Sequence, residues 1–149
     1  MTKGNCAQTE IKFIEGDVFD AKSFGADALI VFYAGLSAIK AAAVKHQSDA
    51  NFNAAFGFTR YIDTNAIKIN SVEDMRKLLN HVLNELAGSN CRKIAMNGIR
   101  AYERPDVHTR SEKYQIQFIE EWLALHPGVF EQICLIDKRD GFNHADDRI

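Results

Sequence analysis

Two neighbouring runs near the start of the chain leave few folds open. Ile11-Lys12-Phe13-Ile14-Glu15-Gly16-Asp17-Val18 alternates apolar with polar and stops at Gly-Asp, whereas Ala26-Asp27-Ala28-Leu29-Ile30-Val31-Phe32-Tyr33 is almost continuously apolar. Alternation marks a strand with one covered face, and an unbroken apolar run marks a strand covered on both. The pair predicts an edge strand leading to a central strand of an open α/β sheet. Ligands of such sheets bind outside the carboxyl ends of the strands, so Asp17 and the Tyr33-Ala34-Gly35 turn fall where a site belongs.

The rest of the chain continues the alternation. Leu36 to Gln47 is alanine-rich, with Ser37 as N-cap, and predicts a helix. Thr59-Arg60-Tyr61-Ile62 and Ala66-Ile67-Lys68-Ile69 predict two short strands joined through Asp63-Thr64-Asn65. Ser71 with Asp74 forms a capping box, and Met75, Leu78, Leu79, Val82 and Leu86 recur at helical spacing until Gly88. Arg92 to Met96 is a short strand running into Asn97-Gly98. A second capping box, Thr109 with Glu112, opens a helix whose expected apolar face is Tyr114, Phe118, Ile119, Trp122 and Leu125. It stops at His126-Pro127-Gly128, and Ile133-Cys134-Leu135-Ile136 is the last strand, ending at Asp137. The expectation is a three-layer α/β/α sandwich with a mixed, largely parallel sheet, forming one domain over residues 1–149.

Composition narrows the function classes. A chain of 149 residues buries roughly two thirds of the surface its unfolded form exposes, so it needs no metal or disulfide to fold. Eighteen basic against twenty acidic residues leave no broad positive field, which argues against a nucleic-acid partner. No apolar run approaches the roughly 20 residues a membrane span requires, and Met1 to Glu10 has no apolar targeting core. A cytoplasmic protein without a membrane partner is expected. Cys6, Cys91 and Cys134 have no CxxC spacing, so neither a disulfide framework nor a zinc site is indicated. Cys91 and Cys134, in strand-like runs, read as small core residues. No cofactor or metal is called for.

Gly16-Asp17-Val18 after the first strand, Asp27-Ala28-Leu29-Ile30-Val31 as the next, Lys93-Ile94-Ala95-Met96 before a Gly-containing loop and Ile133-Cys134-Leu135-Ile136-Asp137 near the end occur in an informative order. In that order the chain resembles a macro domain, the α/β module known for binding ADP-ribose and related nucleotides. The resemblance spans nearly the whole chain through short motifs. Where the family carries an Asn-Ala-Ala-Asn turn and a glycine triplet, this chain has Phe32-Tyr33-Ala34-Gly35-Leu36-Ser37. Where the family's second phosphate loop is rich in Gly, Ser and Thr, it has Asn97-Gly98-Ile99-Arg100-Ala101-Tyr102-Glu103-Arg104-Pro105.

The resemblance implies that Asp17 stands at the family's adenine-binding carboxylate; read alone, Gly16-Asp17 is equally a turn in which Asp17 caps the residues after it. Gly35-Leu36-Ser37 offers free backbone amides and a hydroxyl for a phosphate, or ordinary capping by Ser37. Asn97 and Gly98 lead into a loop whose Arg100 and Arg104 match phosphate or carboxylate oxygens and whose Tyr102 can stack on a base or ribose. Those arginines can equally pair with Glu103, Asp106 or Glu112. Asp137-Lys138-Arg139-Asp140 reads as a solvated strand end. Asp106 and His108 can be read as an acid and base pair, but no nucleophile stands at a recognisable spacing, and adjacent polar residues before a helix more often cap it. His46, His81, His126 and His144 are isolated, and Phe52, Phe56 and Phe58 fit core packing better than an adenine pocket.

The expected ligand-binding set is therefore Asp17, Tyr33, Gly35, Ser37, Asn97, Gly98, Arg100 and Tyr102. The expected partner is a small nucleotide-like ligand, an ADP-ribose-like or other phosphate-bearing metabolite held at the carboxyl edge of the sheet. Two alternatives stand beside this binding module. One is an ADP-ribosyl hydrolase, for which the missing asparagines leave no evident means of orienting water. The other is a scaffold acting through protein contacts.

Overall fold

Six strands make one sheet in the order β1-β2-β6-β5-β3-β4. The computed structural model describes residues 2–6, 8–34, 38–99 and 111–138. The strands are β1 (Thr2–Cys6), β2 (Thr9–Glu15), β3 (Ala28–Tyr33), β4 (Phe58–Asp63), β5 (Lys93–Met96) and β6 (Gln132–Asp137). The helices are α1 (Ala38–Gln47), α2 (Ala50–Ala54), α3 (Val72–Ala87) and α4 (Ser111–Leu125), with a 3-10 helix over Val18–Phe24. Strands β2 to β6 run parallel, and β1 adds an antiparallel edge to β2. The expected mixed, largely parallel α/β/α sandwich is what the chain forms.

Alternate side chains of each strand go to opposite faces, and each face meets its own helical layer. Ile30 and Phe32 of β3, Ile94 and Met96 of β5, and Ile133 and Leu135 of β6 pack with Met75, Leu79, Val82, Leu83 and Leu86 of α3 and Ile116, Phe118, Ile119, Trp122 and Leu123 of α4. On the other face Leu29, Val31, Ala95, Cys134 and Ile136 pack with Val18, Phe19 and Ala21 of the 3-10 helix, Ala43 of α1, and Phe56. All of β3 but Tyr33 is buried, as its unbroken apolar run requires.

Side chains close the amino ends of β3 and β5. Asp27 receives Arg92 N–H at 3.1 Å and Lys93 N–H at 2.9 Å on its two carboxylate oxygens. The Ser71 box opens α3 with a shift: Ser71 Oγ accepts from Asp74 N–H at 3.1 Å, while Asp74 Oδ2 accepts from Asn70 N–H at 3.0 Å, one residue before the cap. Thr109, the partner of Glu112 in the second expected box, lies outside the described residues.

Four expectations are corrected. β2 is not an edge strand: its polar alternation reports one half-covered face, and β1 pairs along its outer side. Ala66 to Ile69 is not a strand. Asp63 Oδ1 takes Asn65 N–H at 3.0 Å and Ala66 N–H at 3.4 Å, backbone bonds from Ala66 and Ile67 return to Asp63 O, and Lys68 has φ 53°, so the chain turns while Ile69 is still buried. Leu125 is not on the apolar face of α4, being 79% exposed at the last helical position. Cys91 precedes β5 rather than lying within it, though it is buried as expected.

Among the described residues no helix is long and apolar enough to cross a membrane. Burial pushes the Cys134 thiol above its ordinary pKa, with weaker influences from Lys12, Glu10 and Lys93, so it remains a protonated core residue.

Candidate functional site

The carboxyl ends of β2, β3, β5 and β6 converge on a cleft of about 140 Å³. Gly16, Asp17 and Val18 follow β2; Phe32, Tyr33 and Ala34 end β3; Asn97 and Gly98 follow β5; Ile136, Asp137 and Lys138 end β6; and Ile39 of α1 closes one side. The strands set these positions directly. Gly16 N–H bonds Asp137 O at 2.8 Å, tying the ends of β2 and β6 together. Tyr33 O is held from behind by buried Thr64, through its N–H at 2.8 Å and its hydroxyl at 3.2 Å.

Asp17 occupies the N-cap of the 3-10 helix, with Oδ1 accepting Phe19 N–H at 2.9 Å. The capping role and a role toward ligand are compatible, because a carboxylate carries about four acceptor sites and this bond uses one of them. Asn97 is buried, and its side-chain amide faces β3: Oδ1 accepts Phe32 N–H at 2.7 Å and Nδ2 donates to Phe32 O at 2.8 Å. Its side chain thus acts as a piece of ladder between β3 and β5. Gly98, also buried, lets the backbone line the cleft directly.

Asp17, Tyr33, Asn97 and Gly98, four of the residues singled out by sequence, therefore meet on one cleft. Gly35, Ser37, Arg100 and Tyr102 lie outside the described residues, as do Arg104, Asp106, His108 and His144. Asp137 and Lys138, read from sequence as a solvated strand end, are part of the cleft. Ile39 and Ile136 carry no sequence signal of a site. The available signal was the rule that placed Asp17: the residue ending each parallel strand is a site candidate, and Lys138 follows β6 as Asp17 follows β2.

The chemistry assembled here is a carboxylate acceptor at Asp17, a second carboxylate at Asp137, an ammonium at Lys138, a phenol at Tyr33 and apolar walls from Val18, Ile39 and Ile136. That combination suits a ligand with a flat or apolar body and a few polar groups. Phe52 and Phe56 are not on the cleft: they form an aromatic cluster with Phe19 and His46, whose ring lies 4.4 Å from Phe19 and 4.3 Å from Phe52. Phe58 packs on the opposite face. A wider groove of about 330 Å³ runs between α3 and α4. Several polar groups there are paired: Trp122 Nε1 donates to Asn84 Oδ1 at 3.0 Å, and Arg76 pairs with Glu121 across the groove and with Glu73 on its own helix.

No protein-family model and no curated protein sequence matches the chain. Solved structures do. A Trypanosoma brucei macrodomain in complex with ADP-ribose superposes with a TM-score of 0.65 at 15% identity, over 91% of this chain and 66% of that one. Crystal form 1 of the same macrodomain gives 0.64 at 14% identity, over 95% and 66%, and its complex with ADP gives 0.64 at 14%, over 92% and 68%. The chain thus spans just under two thirds of the length of the first of these structures. At such identity the likeness is one of architecture, and the architecture is the one its short motifs suggested: this chain adopts a divergent macro-domain-like α/β/α fold.

Proposed function

We propose that this chain binds a nucleotide or related phosphate-bearing metabolite, of the ADP-ribose kind, at the carboxyl edge of its sheet. One observation carries the reading: a cleft formed by the ends of four adjacent parallel strands, with Asp17, Tyr33 and Lys138 around it, in a fold whose solved examples hold ADP-ribose and ADP. Asp17 meets the exocyclic amine of a base, and Tyr33 and the apolar wall cover its faces. From the sequence, the amides at Gly35 to Ser37 receive a phosphate, and Arg100 with Tyr102 holds the far end of the ligand. The setting is taken as cytoplasmic, in keeping with the free thiols of Cys91 and Cys134.

Thermal shift against ADP-ribose, AMP and inorganic phosphate tests this. A ligand at 100 times its Kd raises stability by about 2.7 kcal/mol, and the expected order is ADP-ribose, then AMP, then phosphate. A melting temperature unmoved by all three overturns the reading. Asp17→Asn separates the two roles of the residue, because asparagine caps about as well as aspartate but carries no charge. The variant is expected to melt close to the parent and to bind ADP-ribose about tenfold more weakly, the scale of one charge-assisted hydrogen bond. Unchanged affinity would remove Asp17 from the site.

A further inference from the structure

Behind the cleft wall lies a continuous chain of buried amides. β3 and β5 pair only from Ala28↔Ile94 to Ile30↔Met96, so the ladder ends before β3 does. Beyond that point the amide of Asn97 exchanges two hydrogen bonds with the backbone of Phe32, at 2.7 and 2.8 Å. Gln115, on α4, repeats the device one step further out. Its Nε2 donates to Asn97 O at 3.0 Å and its Oε1 accepts Ile99 N–H at 2.9 Å. Gln115 is 0% exposed and sits beside Ile116, Phe118 and Ile119 in a helical layer whose other buried side chains, Glu112 apart, are apolar.

A primary amide in that layer is costly unless both of its ends are bonded, and here both are. An apolar side chain of equal length would fill the same space and leave Asn97 O and Ile99 N–H buried without these partners. The arrangement is therefore specific to the backbone it holds. That backbone, Asn97-Gly98-Ile99, supplies one wall of the cleft through Asn97 and Gly98.

We infer that Gln115, which does not line the cleft, is a positioning residue of the site. With Asn97 it forms an amide clamp that fixes the segment after β5 against the end of β3, so that the wall is in place before a ligand arrives. The consequence for affinity rests on the binding reading above; the clamp itself does not.

Amide hydrogen exchange on the whole chain tests the clamp without a ligand. In the parent protein Ile99 and Phe32 N–H should exchange as slowly as the ladder amides of β3. Gln115→Met should speed Ile99 at least about tenfold, by removal of a buried hydrogen bond, while amides in the middle of β6 keep their rates. Loop-like exchange of Ile99 in the parent, or an unaltered rate in the variant, overturns the clamp.

Titration with ADP-ribose as the probe tests positioning. Gln115→Met should bind about tenfold more weakly at every pH. Gln115→Glu presents one O–H donor and one carbonyl acceptor when its carboxyl is protonated, reproducing the geometry of the amide. Burial favours that protonated form, and any negative charge at Glu112, buried one turn earlier on α4, would add to it. Its affinity relative to the parent should approach one at low pH and fall as the carboxyl ionises. A residue that merely filled space would give no such recovery, and the same ratio at all pH values overturns the inference. Should Gln115→Met fail to fold, exchange in the parent and the pH profile of Gln115→Glu still decide. If the parent itself does not bind ADP-ribose, the binding reading fails and the clamp stands or falls on exchange. If the parent binds and Gln115→Met binds equally, only positioning fails.

Discussion

The two faces of the sheet are covered in different ways. One is roofed by two long helices, α3 and α4, whose Met75, Leu79, Leu83, Leu86, Phe118, Ile119 and Leu123 are fully buried. The other is covered by the 3-10 helix, α1 and Phe56, with alanines at 21, 26, 43 and 95 in its core and Tyr33, Ile39, Phe52 and Tyr61 only partly buried around it. The cleft draws its apolar wall, Val18, Ile39, Tyr33 and Ile136, from this second face. A layer of short elements and small side chains leaves room at its rim, whereas interlocked long helices leave little. The tightest packing and the apolar wall of the candidate cleft are thus drawn from opposite sides of one sheet.

Truncation of the closed face offers the strongest test of that division. Leu79→Ala, at a fully buried site of α3, is expected to cost about 2–5 kcal/mol, or on the order of 10 °C in melting temperature. Phe52→Ala, on the partly covered face, should cost only about 1–2 kcal/mol despite the larger side chain removed. Equal losses in thermal or denaturant melts would break the contrast.

Tyr61 sharpens it by pH. Its hydroxyl donates to Asn53 Oδ1 at 2.7 Å, and burial, helped by the charge of Asp49, pushes its pKa from 10.0 up to about 12. The folded protein holds this proton more tightly than the unfolded chain, so the associated stability is complete below pH 10 and lost as pH rises through about 12. Tyr61→Phe should cost about 1 kcal/mol at neutral pH, a deficit that shrinks across that range. A constant difference between the two proteins would refute the assignment. The smallest effect belongs to the closed face's own periphery: Leu125→Ala should stay within about 0.5 kcal/mol, since the side chain is 79% exposed.

What the sequence disclosed tracked burial. β3, β5 and β6 are legible because strands covered on both faces need unbroken apolar runs, and α3 because Ser71 announces it and its apolar residues recur without interruption. α2 escaped notice, being five residues long with no buried side chain and signalled only by Asp49 at its N-cap. Ala66 to Ile69 misled because alternation can arise in a turn when an aspartate, here Asp63, captures the amides that a strand would offer a neighbour. At the site, Asp17, Tyr33, Asn97 and Gly98 were legible from strand ends alone. Lys138 stands at a strand end too, but in a charged run that reads equally as solvated, and Ile39 carries no such signal, because its place on the cleft depends on which strands are neighbours. Gln115 was beyond reach, as a glutamine inside an amphipathic helix reveals its role only when the loop beneath it is known.

The order of the strands bears on how the molecule is made. β6, the last of the described strands in sequence, lies between β2 and β5, and Thr9 Oγ1 reaches Phe130 O across 121 residues of chain. A nascent chain leaving the ribosome therefore holds a hairpin of β1 and β2 and a separate set of β3, β4 and β5, each presenting an unsatisfied edge to the cell until residue 137 emerges. Completion of the sheet is an insertion at its centre rather than an extension at its margin, which makes the interval before β6 is in place the period of greatest exposure to aggregation and to chaperones.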